Sequence, residues 1–299
     1  MKKLLHSSKG EYTISFHFIF LIPMLTHQVA LVSETNKIPF GELARVSAAI
    51  QKQIVRDVAP IWNVQATIDA FEKLEDVPIG YWSIIVKEDI GAAHLTGLHL
   101  DLNGQPYALV NYNASWSLQA SRLCIEMLID PFGNRLVAGQ SPNNQQGRVL
   151  FLVKPCSPCQ AAAYAYTSNG VLVSDFHTPN YFDPIGSKGV RYSFTGAITE
   201  PKEVLPNGYL TWYEPVTGEW WQMLYFDKQV SYRSLGKLNV QGSIRPAISR
   251  LTSHPSLWSA VDEQHLRRLH STEQNIAATN AATAHNIRLH IDSLGRGEE

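Results

Sequence analysis

Between Val29 and about residue 235, runs of strand character and helix character follow one another in an order that few folds accommodate: strand, helix, three strands, helix, then mostly strands. "VALVS" (29–33) has the length of a short apolar strand. In 39–62, Leu43, Val46, Ile50, Ile54 and Val58 recur near helical spacing, which predicts an amphipathic helix ended by Pro60. "QATIDAFE" (65–72) and "GYWSIIVKED" (80–89) are rich in β-branched and aromatic residues and predict strands. Asn103-Gly104 inside 99–112 and Asn169-Gly170 inside 163–176 predict hairpins, because these residues tolerate the positive φ that a two-residue turn needs. Further strands are expected at 147–154, 190–199, 208–215 and 219–226. The fold class is α+β, with helices packed on a mixed sheet.

The ends differ from this core. Residues 1–28 are expected as a leader or extension ahead of the domain; the apolar run "FHFIFLIPML" (16–25) resembles a short signal-peptide core. The cytoplasm is the expected location, with secretion the alternative if 1–28 act as a signal. No stretch reaches the length of a membrane span. Residues 236–255 are punctuated by Gly, Ser and Pro and are expected as a connector. The stretch 256–295 predicts one long helix with a loose apolar stripe.

A net charge of -1 and scattered basic residues argue against nucleic acid as a partner. Three cysteines are too few for a disulfide framework. Cys156 and Cys159 form "CSPC", which at a helix start can support thiol redox chemistry; one such pair alone is a poor zinc site. His94 and His99 are five apart and would face opposite sides of a strand. The pairs His265/His270 and His285/His290 repeat that offset and offer no i, i+4 ligand pair.

"SRLCIEMLIDPFGNR" (121–135) is the most informative helix, with Asn113 or Ser115 as its cap and Pro131 and Gly133 as its close. Residues 122, 126 and 130 share one face, drifting about 40° per step. A zinc-peptidase helix needs two ligands one turn apart and an adjacent Glu to take a proton from metal-bound water. Through Ser121, Glu126, Met127, Leu128, Asp130, Pro131, Gly133, Asn134 and Arg135, this helix resembles that of a family of uncharacterised bacterial zincin-like proteins, whose motif runs S-H-E-x-x-E-M-L-x-D-P-x-G-N-R. "LEDVPIGYW" (74–82), "LDLNGQPYALV" (100–110), "SNGVLVSDF" (168–176) and "NYFDP" (180–184) are similar to the same family. The resemblance covers about two thirds of the chain. It implies a zincin-like, metallopeptidase-type hydrolase fold with a sheet edge beside the motif helix.

The departures fall on the chemistry. The family's His corresponds to Arg122 and its adjacent Glu to Leu123. The family's later acidic segment, of the form E-V-x-D-P-x-E, meets Lys154, Ser157 and Gln160. Arginine has no lone pair for a metal and leucine cannot accept a proton. Arg122 is therefore expected to form a structural ion pair with Glu126 and Asp130, its guanidinium standing in for a divalent cation and no cofactor being required. The resulting expectation is a non-catalytic pseudoenzyme that binds an extended peptide or protein, with the strand carrying Tyr107, Leu109 and Asn111 as the pairing edge. One alternative is a hydrolase that uses Glu126 as catalytic residue with Asp130 and non-standard ligands, zinc among them. In that case His177, Asp175 and Asp183 are candidate cleft residues. The other alternative is a thiol redox protein through Cys156 and Cys159.

Overall fold

Val29, Ala30, Leu31 and Val32 are consecutive and all inaccessible to solvent, which a strand tolerates only when both of its faces are covered. They lie in β1 (Thr26–Ser33), an inner strand of a five-stranded sheet seen in the computed structural model, which describes residues 25–92 and 95–252. β1 pairs in parallel with β2 (Gln65–Phe71) and β3 (Trp82–Lys87). β3 pairs in parallel with β5 (Gln105–Asn111), and β4 (Gly97–Leu102) closes that side antiparallel to β5, giving the order β2-β1-β3-β5-β4. The β4–β5 hairpin turns at Asn103 and Gly104, at φ 54° and 80°. The register aligns Ala70, Leu31, Ile84, Ala108 and His99 in one row across all five strands.

Helix α1 (Phe40–Gln53) lies along β2. Its Leu43, Val46 and Ile50 face inward, Ser47 donates to the Ile68 carbonyl at 2.7 Å, and Gln51 bonds both Ala66 and Ile68. The helix runs on through a π turn (Ile54–Val58) into α2 (Ala59–Trp62), so Pro60 does not end it as expected but stands directly after the π turn, at the second position of α2. The second helix, α3 (Trp116–Ile129), packs against β3, β4 and β5 and is buried nearly all round. Gly97 permits that approach: a Cβ there would come within 2.6 Å of Leu123 Cδ1.

A second, wholly antiparallel sheet has the order β12-β11-β10-β7-β6, formed by β6 (Leu136–Gln140), β7 (Arg148–Leu152), β10 (Tyr209–Glu214), β11 (Glu219–Leu224) and β12 (Ser231–Gly236). Phe151, Trp212, Tyr181, Tyr192 and Met223 form its core. The hairpin β8 (Tyr166–Ser168) with β9 (Val171–Val173) turns at Asn169-Gly170 and packs on α1 and α3. The expected helices at 39–62 and 113–130 and most of the expected strands are present among the described residues, and the architecture is α+β.

Three expectations are corrected. The domain includes residues 26–28, which pair with β2. Residues 190–199 form no strand; beyond a single bridge from Ser193 to His177, the Thr195 N–H donates to Asp175 Oδ1 and the Ile198 N–H donates to Ser193 Oγ. Residues 236–255 are more than a connector, because they contain α4 (Arg245–Thr252), which packs on β4. Ile244 and Ile248 join Leu152 and Trp220 in a shared apolar cluster, and Gln222 of β11 bonds Thr252 at 2.6 Å. The expected helix at 256–295, with His265, His270, His285 and His290, lies outside the described residues, as does His94. Among the described residues no helix is long and apolar enough to cross a membrane.

Candidate functional site

The side chain that joins Glu126 to Asp130 comes from α4, not from α3. Arg245 Nη1 donates to Glu126 Oε2 at 3.0 Å, and Nη2 donates to Asp130 Oδ2 at 2.7 Å and to the Val153 carbonyl at 2.6 Å. Arg245 is 1% exposed and both carboxylates are 3% exposed. Burial disfavours the charged form of Glu126, but Arg245, Lys154 and Arg122 outweigh it and hold the pKa below the ordinary value. For Arg245 the balance also favours the charged form: burial opposes it, and the two carboxylates more than compensate.

The expected pairing through Arg122 is therefore corrected. Arg122 shares the Glu126 face but extends to Gln160 Oε1 at 3.0 Å and Thr96 Oγ1 at 3.2 Å. A guanidinium still neutralises the two carboxylates, from a residue about 120 positions further along the chain.

The loop after α3 is built to receive it. Asp130 Oδ1 accepts the N–H groups of Asn134 and Arg135, at 3.1 and 3.0 Å. Asn134 Oδ1 accepts the N–H of Ile244, the residue before Arg245, at 3.0 Å. Gly133 has φ 64°, and a Cβ there would meet Ser243 Oγ at 2.3 Å and Arg245 Cβ at 2.9 Å. The D-P-x-G-N-R turn thus carries one carboxylate and also holds the strand of chain that delivers its counter-charge.

His99 completes this side. The sheet register points it under α3, where it is 3% exposed, with Nε2 2.8 Å from the Pro131 carbonyl. Burial, helped by the nearby Arg245 charge, lowers its pKa to about 4. The ring is therefore neutral at pH 7. With the proton on Nε2 to serve Pro131, Nδ1 is a buried acceptor without a partner among the described residues. Next to it lies a partly open cavity of about 40 Å³, lined among others by His99, Arg122, Glu126, Lys154, Gln160 and Tyr209.

The other sequence candidates lie elsewhere. β5 is flanked by β3 and β4, so Tyr107, Leu109 and Asn111 are not on a sheet edge; the edge strand beside α3 is β4. His177 is a core residue rather than a cleft residue. It is 1% exposed, stacks on Tyr181 with ring centroids 4.5 Å apart, and is brought by burial to a pKa of about 4. Asp175 is fully buried and accepts from Phe176 N and from both N and Oγ1 of Thr195; burial raises its pKa. Asp183 follows a short 3-10 turn, and its carbonyl accepts from Lys202. Neither aspartate joins Glu126, and among the described residues no group of three or more His, Cys, Asp or Glu is placed to hold a metal ion.

Cys156 and Cys159 are free and buried around a three-residue 3-10 turn. Burial pushes both thiols well above their ordinary pKa, the reverse of what disulfide exchange requires.

Sequence reasoning overlooked Arg245. The available signal was Arg245-Pro246 followed by Ile248, since proline in a first turn marks a helix start and Ile244 and Ile248 have the spacing of one buried face. No known protein family, curated protein or solved structure matches the chain.

Proposed function

We propose that this chain is a zincin-like protein whose metal position has been taken by a side chain, so that it binds a peptide or protein segment rather than cutting one. The observation that carries the reading is Arg245, bonded to both carboxylates of the motif face. The residues present do not fit zinc. Arg122 and Leu123 stand where the resemblance asks for a ligand and a base, and the remaining carboxylates are engaged by a cation that cannot be deprotonated. The sheet, parallel except for the edge strand β4 beside the motif helix, supports the zincin-like reading.

A pairing role for a sheet edge passes from β5 to β4, which the described residues leave with one strand neighbour. The test is metal content after dialysis against zinc, with peptide hydrolysis measured in parallel. The expected result is no stoichiometric zinc and no hydrolysis. Stoichiometric zinc that is lost in Glu126→Ala would overturn the reading.

A further inference from the structure

We infer that the cavity beside the Arg245 ion pair is a binding site for a small carboxylate group. Two cations line it, Arg122 and Lys154, and neither is within ion-pair distance of a carboxylate among the described residues. Glu126, the one acidic residue lining the cavity, already accepts from Arg245. Counting Arg122, Lys154 and Arg245 against Glu126 and Asp130 leaves one positive charge in excess, in a region where Lys154 is only 6% exposed. An uncompensated buried charge is costly, and an anion from solution is the simplest way to offset it.

The donors are also incomplete. Arg122 uses Nη1 and Nη2 on Gln160 and Thr96, but its Nε is buried without a partner among the described residues. Lys154 donates to the Tyr209 hydroxyl and to Ser249 Oγ at 3.2 Å, which among the described residues leaves one of its three N–H bonds unused. A volume of about 40 Å³ holds about three non-hydrogen atoms or waters. That suits a carboxylate group, with the rest of the molecule extending through the open side. His99 Nδ1, an unpartnered acceptor on the same wall, takes a water or a hydroxyl carried in with the ligand.

The inference goes beyond the proposed function and does not need it. The experiment is calorimetric titration with sodium acetate, at constant ionic strength, of the full chain stripped of metal by a chelator that is then dialysed away. Two further arms use an acetylated dipeptide with a free C-terminus and the same dipeptide amidated. Acetate is expected to bind one per chain, about tenfold more weakly in Arg122→Gln and in Lys154→Gln, the loss of one charge-assisted contact. Tighter binding of the free-acid dipeptide than of acetate identifies a peptide terminus as the source; equal binding identifies a free small acid. Because the chelator removes any metal, a zinc site discovered at Glu126 would refute the proposed function and leave this result readable. Wild-type protein soaked in formate provides a readout that does not rely on variants folding. Density for an anion between Arg122 and Lys154 is expected, and water alone there, or no saturable binding in solution, overturns the inference.

Discussion

Replacing Arg245 with methionine removes the single positive charge bonded to both Glu126 and Asp130, together with three hydrogen bonds, and keeps the volume nearly filled. Removing one partner of a buried ion pair costs about 3–5 kcal/mol, because the remaining charge has neither water nor counter-ion. The loss is bounded, since Glu126 can take up a proton instead of staying ionised. From an ordinary carboxyl pKa that escape costs about 4 kcal/mol at pH 7 and about 1 kcal/mol at pH 5. The native protein behaves oppositely. Its Glu126 pKa is lowered by folding, so the associated stability is full above the unfolded value and is lost as pH falls through the folded one. Arg245→Met should therefore destabilise by about 3–5 kcal/mol at pH 7 and by about 3 kcal/mol less at pH 5. Urea unfolding followed by tryptophan fluorescence measures this; with a slope near 3 kcal/mol per molar, the midpoint falls by about 1 M or more at pH 7. Adding Glu126→Gln and Asp130→Asn to Arg245→Met should restore most of the loss, since the uncompensated charges are gone. A midpoint unchanged by Arg245→Met, or a loss equal at both pH values, refutes the reasoning.

His99 and His177 should remain neutral down to about pH 4. Their folded pKa values lie below the unfolded one, so the stability they confer is complete above about pH 6.5 and declines as pH falls toward 4. Ring resonances assigned through His99→Gln and His177→Gln check this, and a midpoint near 6.5 for either contradicts it. Gly133→Ala should cost roughly 1–3 kcal/mol, from positive φ and from displacement of Ser243 and Arg245, measured by the same unfolding assay. Cys124, Cys156 and Cys159 should resist a thiol reagent in the folded protein and react on unfolding, with fast native-state labelling as the contrary result.

Local chemistry made much of the fold legible. Leu43, Val46, Ile50, Ile54 and Val58 mark a helix because each apolar contact recurs about once per turn, and the two Asn-Gly pairs mark hairpins because few other residues accept those φ values. The hairpin at 103–104 does not reveal which of its strands meets a third. That depends on pairing between β5 and β3, whose partners such as Ser83 and Tyr107 are 24 positions apart, so local sequence does not show that β4 rather than β5 is the edge. The segment 190–199 has strand-like composition, yet Gly189 and Gly196 hold φ of 82° and 81° and the chain turns instead of extending. At the site, the need for a counter-charge on Glu126 and Asp130 followed from burial of the helix face. The donor did not. Arg122 is near in sequence, but Gln160 and Thr96 draw it away, and Arg245 arrives only because Gly133, Asn134 and the Ile244–Leu152 contact dock an eight-residue helix against β4.

The most direct test is an experimental density map of crystals soaked in zinc, with anomalous scattering recorded at the zinc edge. A planar guanidinium reaching both Glu126 and Asp130 with no anomalous peak between them is the predicted result. A zinc peak bonded to Glu126, with Arg245 displaced toward solvent, would contradict the account.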